Sequence, residues 1–245
     1  MRVRLTVAYN GAGFHGFAIN PGVRTVGGVL GDAIGRYVGH PVELTCAGRT
    51  DAGVHARSQT IHFTTTGTDL EGLVKAVNRM CRPEIVVSEP AIVSEDFHAR
   101  FSCVSRTYRY LILNQQVADP LQAHMSWHVN TPLDIDKMTE AAQYLVGTHD
   151  FSSFCRRPSP DTDLTRHVHR LDLWREQDNV VIEIEAKSFC HQMVRSIVAL
   201  LTAIGTGKRP ISAVKQALEA KNRDSVPSPA PPHGLTLHST HYNPM

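Results

Sequence analysis

One short segment concentrates the groups that could carry chemistry. In Ala47-Gly48-Arg49-Thr50-Asp51-Ala52-Gly53-Val54-His55-Ala56 a carboxylate follows a guanidinium by two residues, and small residues bracket the pair. Small neighbours let a ligand approach closely, and a nearby Arg favours the ionised carboxylate, the state a nucleophile requires. Spacing alone does not decide for this chemistry. A surface ion pair between Arg49 and Asp51 in a turn is the plainer account of the same residues.

Two other patterns invite a cofactor. Gly11-Ala12-Gly13-Phe14-His15-Gly16 has the spacing of a dinucleotide fingerprint and follows a predicted strand. That fingerprint must open directly into a helix whose N-terminus holds the pyrophosphate, whereas Pro21-Gly22 intervenes and the next helix begins near Thr25. A glycine-rich turn is the better reading. His167 and His169 would share a strand face, and with Cys155, Cys190 and His191 they offer zinc-type donors. None of the usual paired-ligand spacings is present, so no metal or organic cofactor is expected.

The elements that must position these residues follow from periodicity. Val3, Leu5, Val7 and Tyr9 alternate as one face of a strand over 2–9, and Val26, Leu30, Ile34 and Val38 recur at helical spacing over 25–38. Four glycines (Gly27, Gly28, Gly31, Gly35) weaken that helix, which points to close approach against a sheet. Strands are predicted at 42–47 and 59–64 around a turn at 49–55, a helix at 70–80, and a strand near 85–93 interrupted by Pro90. The pattern then restarts with a strand at 107–113, a helix at 134–146 capped by Asp134, and a strand pair at 168–174 and 180–186. Helices at 189–204 and 211–220, a proline-rich stretch at 227–232 and a strand at 235–242 close the chain. Arg156–Thr165 reads as an exposed loop. The expectation is an α/β (α+β) protein of two lobes, 1–104 and 105–245.

Composition bounds the setting. The 245 residues are 42% hydrophobic, enough to bury a sizeable core. No apolar run approaches the roughly 18 residues needed to span a bilayer, and the N-terminus alternates like a strand rather than a signal peptide, so a cytoplasmic protein is expected. The five cysteines are scattered and odd in number, which favours reduced thiols. Net charge is only +2, with 19 arginines and 6 lysines. Arg suits bidentate phosphate contacts and base stacking, so this balance permits an anionic partner without requiring one.

Gly48-Arg49-Thr50-Asp51-Ala52-Gly53-Val54-His55 resembles the catalytic motif of the TruA family of tRNA pseudouridine synthases. The resemblance continues in order along the chain through Asp96-Phe97-His98-Ala99-Arg100-Phe101-Ser102, Arg106-Thr107-Tyr108-Arg109-Tyr110, Phe189-Cys190-His191-Gln192-Met193-Val194-Arg195 and Gly234-Leu235. It implies the pseudouridine synthase fold, with two lobes whose mainly antiparallel sheets form one central sheet around a basic cleft. It also implies a homodimer across which a tRNA lies. The implied reaction is isomerisation of uridine to pseudouridine at positions 38, 39 and 40 in the anticodon arm of tRNA.

The same resemblance assigns residues to roles. Asp51 is the nucleophile, attacking C1′ or C6 of an extruded nucleotide, and Tyr108 stacks on the uracil and takes the C5 proton late in the cycle. Tyr110 shares the face of Tyr108, so periodicity does not choose between them. Arg49 pairs with Asp51 and contacts the nucleotide backbone, Arg195 approaches the nucleophile, and Leu235 forms part of the uracil pocket wall. Asn10, Phe17-Ala18 and Gly27 depart from the family pattern, which bears on RNA positioning and on the set of modified uridines. The rival from another class is a non-catalytic tRNA-binding protein or RNA chaperone; an ionised carboxylate aimed at an anionic ligand argues against it. An Asp-dependent glycosidase would need a second catalytic carboxylate, and none stands out.

Overall fold

The computed structural model describes residues 1–157, 159 and 161–243. The chain forms, in order, β1 (Arg2–Tyr9), α1 (Val26–Val38), β2 (Thr45–Cys46), β3 (His55–Thr64), α2 (Leu70–Cys81), β4 (Ile85–Val93), β5 (Cys103–Leu113), β6 (Trp127–His128), α3 (Ile135–Gln143), β7 (Gly147–Asp150), β8 (Thr165–Glu176), β9 (Asn179–Ala186), α4 (Met193–Gly205), α5 (Ala213–Ala220) and β10 (Leu235–Tyr242). Two compact units result, Met1–Val104 with Thr236–Met245, and Ser105–Leu235. Both are α/β, as the periodicities indicate, and their sheets are mainly antiparallel, as the family resemblance implies. The closing strand, grouped with the second lobe at the sequence level, lies in the first unit because it pairs in parallel with β3, Thr236 opposite His55 and Leu237 opposite Ala56.

In the first unit the strand order is β4-β1-β3-β10, with β2 added on β3. The period-two face of β1 (Val3, Leu5, Val7, Tyr9) is buried, and α1 and α2 pack on each other with Val26, Leu30, Ile34, Leu73 and Val77 inside. Burial of such aliphatic side chains contributes about 1.5–3 kcal/mol each, which offsets the low helix propensity of a glycine-rich α1. Thr25 caps α1 by accepting the Gly28 amide, and Asp69 caps α2 by accepting from Glu71 and Gly72. Pro90 fits because β4 pairs with β1 alone in this unit's sheet and its register shifts between Arg4 and Thr6, next to Glu89 in the left-handed region (φ 51).

The second unit has the order β5-β9-β8-β7, with β6 parallel to β5. Its core joins Tyr110, Ile112, Phe151 and Phe154 to α4, where eight of the thirteen positions carry buried apolar side chains other than glycine: Met193, Val194, Ile197, Val198, Ala199, Leu200, Leu201 and Ile204. A helix apolar nearly all round belongs in an interior.

Several boundaries differ from the periodic reading. The strand expected over 42–47 shrinks to two residues, and the next one starts at His55 instead of 59, so the motif turn runs straight into β3. α4 starts at Met193 rather than 189 because Gln192 adopts the left-handed region (φ 67) and Met193 N–H bonds to Cys190 O. β6 and β7 are too short to show a period. The loop over 156–165 is mostly exposed where described; its Pro158 and Pro160 lie outside the described residues.

Candidate active site

The Asp51 turn is anchored on both sides. Before it, Gln59 on β3 grips Gly48 twice, its Oε1 accepting the Gly48 N–H (3.2 Å) and its Nε2 donating to the Gly48 carbonyl (2.5 Å). Thr50 is buried, with its hydroxyl 2.8 Å from the Tyr9 phenol at the end of β1. After it, Val54 N–H bonds to Asp51 O at 3.1 Å, closing the turn through Gly53 at φ +78. Asp51 is half-buried at the apex of this seat.

The glycine-rich segment, which opens as a short 3-10 turn over Gly11–Gly13, supplies the other wall. Gly11 N–H donates to Nδ1 of the buried His55 (3.0 Å), Phe14 O accepts from Gly53 N–H (3.2 Å), and Phe17 N–H donates to Thr50 O (3.1 Å). The approach is too close for side chains at the glycines. A Cβ on Gly11 would lie 2.0 Å from Val54 O, and one on Gly16 would lie 2.7 Å from Thr50 O. Gly27 of α1 is likewise required by Phe17, whose carbonyl a Cβ would meet at 2.6 Å, whereas Cβ atoms on Gly28, Gly31 and Gly35 would meet Thr25 Oγ1, the Leu44 side chain and His40 O, so of the four only Gly27 answers to this loop. The segment is therefore a turn, as expected, and its use is to seat the Asp51 backbone.

Arg49 is exposed. An exposed guanidinium gains at most about 1 kcal/mol from an ion pair and loses side-chain freedom in making it. Its charge stays at the surface.

In the second unit the two tyrosines sharing a face of β5 have different surroundings. Tyr110 is fully buried, donates to Pro231 O at 2.8 Å, and lies so close to Gly234 that a Cβ there would come within 2.6 Å of its ring. Burial holds its phenol well above the usual range, against the opposing pull of the Arg195 charge. Tyr108 is nearer the surface at 8% exposure, with its ring edge-on to Phe189 at 5.0 Å. Arg195 on α4 is half-buried and fixed to the proline-rich segment, its Nε donating to Ala230 O at 2.7 Å while Ala230 N–H returns to Arg195 O at 3.0 Å. Leu235 is buried at the start of β10. The structure thus puts Arg49 and Asp51 in one unit and Tyr108, Arg195 and Leu235 in the other.

The zinc-type donors arrange differently from a metal site. Cys190 Sγ donates to Leu164 O at 3.9 Å, and the Cys155 thiol beside it, with the Arg166 charge, lowers the Cys190 thiol pKa. His167 stacks edge-on to His169 at 4.9 Å and bonds to the Thr148 hydroxyl. No group of three or more His, Cys, Asp or Glu suited to a metal ion occurs among the described residues. None of the described helices is long and apolar enough to cross a membrane.

A family model described as tRNA pseudouridine synthase matches residues 141–243. The tRNA pseudouridine synthase A of Halalkalibacterium halodurans is 41% identical over 236 residues, covering 96% of this chain and 90% of that one. The protein of that name from Hyphomonas neptunium is 41% identical over 246 residues (98% of each chain), and the one from Coxiella burnetii is 38% identical over 249 residues (99% and 94%). The chain belongs to the tRNA pseudouridine synthase A family. The Gly11–Phe17 turn, Tyr9, His55 and Gln59 hold the Asp51 turn, and the sequence reading gave none of them a role there. The signal was present as glycines at 11, 13 and 16, but which backbone they let approach is not a property of local sequence.

Proposed function

We propose that this protein isomerises uridine to pseudouridine in tRNA, at positions 38, 39 and 40 of the anticodon arm, with Asp51 as the nucleophile. Family membership supports the reaction class. The observation that carries the assignment of Asp51 is its seat: a half-buried carboxylate at the apex of a turn held on one side by Gln59 and Tyr9 and on the other by the Gly11–Phe17 loop. A nucleophile benefits from such preorganisation, because misplacement by about 1 Å can cost 100-fold in rate.

The reaction balances without a co-substrate. The C1′–N1 bond breaks, the uracil turns, a C1′–C5 bond forms, the C5 proton leaves and N1 gains a proton. Asp51 forms the transient covalent bond that keeps the base and sugar on the enzyme. The target base is paired or stacked in its arm, so it must be extruded first, at a cost of a few kcal/mol. Tyr108, ring near the surface and edge against Phe189, supports the stacking and proton-accepting role better than Tyr110, whose hydroxyl is committed to Pro231. Arg49, exposed and beside the nucleophile, takes a backbone phosphate of the flipped nucleotide. Arg195, held by Ala230, supplies fixed positive charge, and Leu235 supplies apolar wall to the uracil. A homodimer in the cytoplasm completes the reading.

The test is tritium release from C5-tritiated uridine in unmodified tRNA, comparing wild type with Asp51→Ala at equal, verified tRNA binding. Release by wild type only is expected. Retained binding with no release by either protein would replace this reading with that of an RNA-binding protein.

A further inference from the structure

Glu84, at the start of the segment leading into β4, ties down both ends of the loop that walls the Asp51 turn. At the near end its carbonyl accepts the Asn10 N–H at 3.0 Å. At the far end its carboxylate takes both Arg24 Nη atoms, at 2.9 and 2.6 Å. The Arg24 guanidinium then lies 4.3 Å from the centre of the Phe14 ring, and the Arg24 carbonyl accepts His15 N–H at 2.9 Å. Phe14 is the next link. Its ring is buried and its carbonyl is the acceptor for Gly53 N–H, two residues from Asp51.

We infer that Arg24, fixed by Glu84, is a positioning residue for the nucleophile, acting through Phe14 on the Gly53 peptide. This rests on the reading of Asp51 proposed above. Magnitudes separate positioning from plain stability. The side chains of Arg24 and Glu84 are 47% and 39% exposed, and an ion pair that open contributes at most about 1 kcal/mol to folding. Because the guanidinium itself is half-exposed, its contact with the buried Phe14 ring adds roughly 0.5–1 kcal/mol. Their removal therefore leaves the fold nearly untouched, yet the one peptide they steer is bonded to the turn that carries the carboxylate. Attack geometry is far more sensitive than stability to a sub-ångström shift at that turn. The pair also faces away from the anionic-ligand role that other exposed arginines invite, since Glu84 already neutralises Arg24.

The experiment compares wild type, Arg24→Ala, Glu84→Ala and Arg24→Lys in single-turnover tritium release at saturating protein, with tRNA Kd and amide hydrogen exchange measured in parallel. Arg24→Ala and Glu84→Ala are expected to lower the saturated rate about tenfold with Kd within about twofold, and Arg24→Lys to recover most of the rate. The Gly53 and Phe17 amides are expected to exchange faster in the two Ala variants. A weakened Kd with an unchanged saturated rate would overturn the inference by making Arg24 an RNA contact, and unchanged rate and exchange would overturn it outright. Failure of wild type to release tritium would strike the proposed function instead, with the exchange data still deciding whether Arg24 holds the turn.

Discussion

At the scale of single residues, what matters around the site is which polar groups have been committed to holding backbone. His62 on β3 is an instance that carries a measurable consequence. It is buried, its Nδ1 accepts the Ala99 N–H at 3.1 Å, and its ring lies 5.1 Å from that of His98. Burial first, then the Arg2 and His98 charges, push its pKa from 6.5 down to about 4. The unfolded chain binds that proton more readily, so the contribution of the neutral ring is complete above about pH 6.5 and is lost as pH falls through about 4, a change of up to about 3 kcal/mol. Urea midpoints should fall steadily between pH 7 and pH 4.5. His62→Gln, which keeps an acceptor for Ala99 without the titration, should flatten that slope; an unchanged slope would move its origin to other groups.

Between elements, the decisive contact is the glycine loop on the motif turn. Here two segments far apart in sequence meet backbone to backbone, and only absent side chains permit it. Gly11→Ala tests this directly. Its Cβ would lie 2.0 Å from Val54 O, an overlap that neither backbone can relieve without breaking the Gly11 N–H to His55 bond. Destabilisation of about 3 kcal/mol or more is expected, read as a large loss in Tm, whereas Gly22→Ala costs about 1 kcal/mol for its positive φ alone, with open space around it. Equal effects at the two sites would mean that the loop does not seat on the turn. The helices were legible at this scale because α1, α2 and α3 carry both period and cap, Thr25, Asp69 and Asp134 each accepting from the first turn. The start of α4 was not legible, since a left-handed Gln192 has no compositional mark.

For the whole molecule, a net charge of +2 is too small to attract RNA by itself, so affinity has to come from local arginine contacts to phosphate. With the Asp51→Ala protein, which separates binding from turnover, tRNA affinity should fall steeply between 50 and 200 mM salt, with a log–log slope of about −0.7 to −0.9 per phosphate contacted. A flat salt response would sink phosphate-driven binding. Sequence by itself determined the α/β class, most of the elements, and the motif in which Asp51 sits, because periodicity, caps and a run of specific residues are all local properties. It determined the family as well, since the matching motifs recur in order over nearly the full chain. Tertiary structure alone decided that residues 236–243 join the first unit, that the Arg49 side chain is exposed, that Tyr110 is spent on Pro231, and that Gly11–Phe17 seats the Asp51 turn. Each of these depends on which distant backbone arrives beside a residue, and long-range approach leaves no period in the sequence to read.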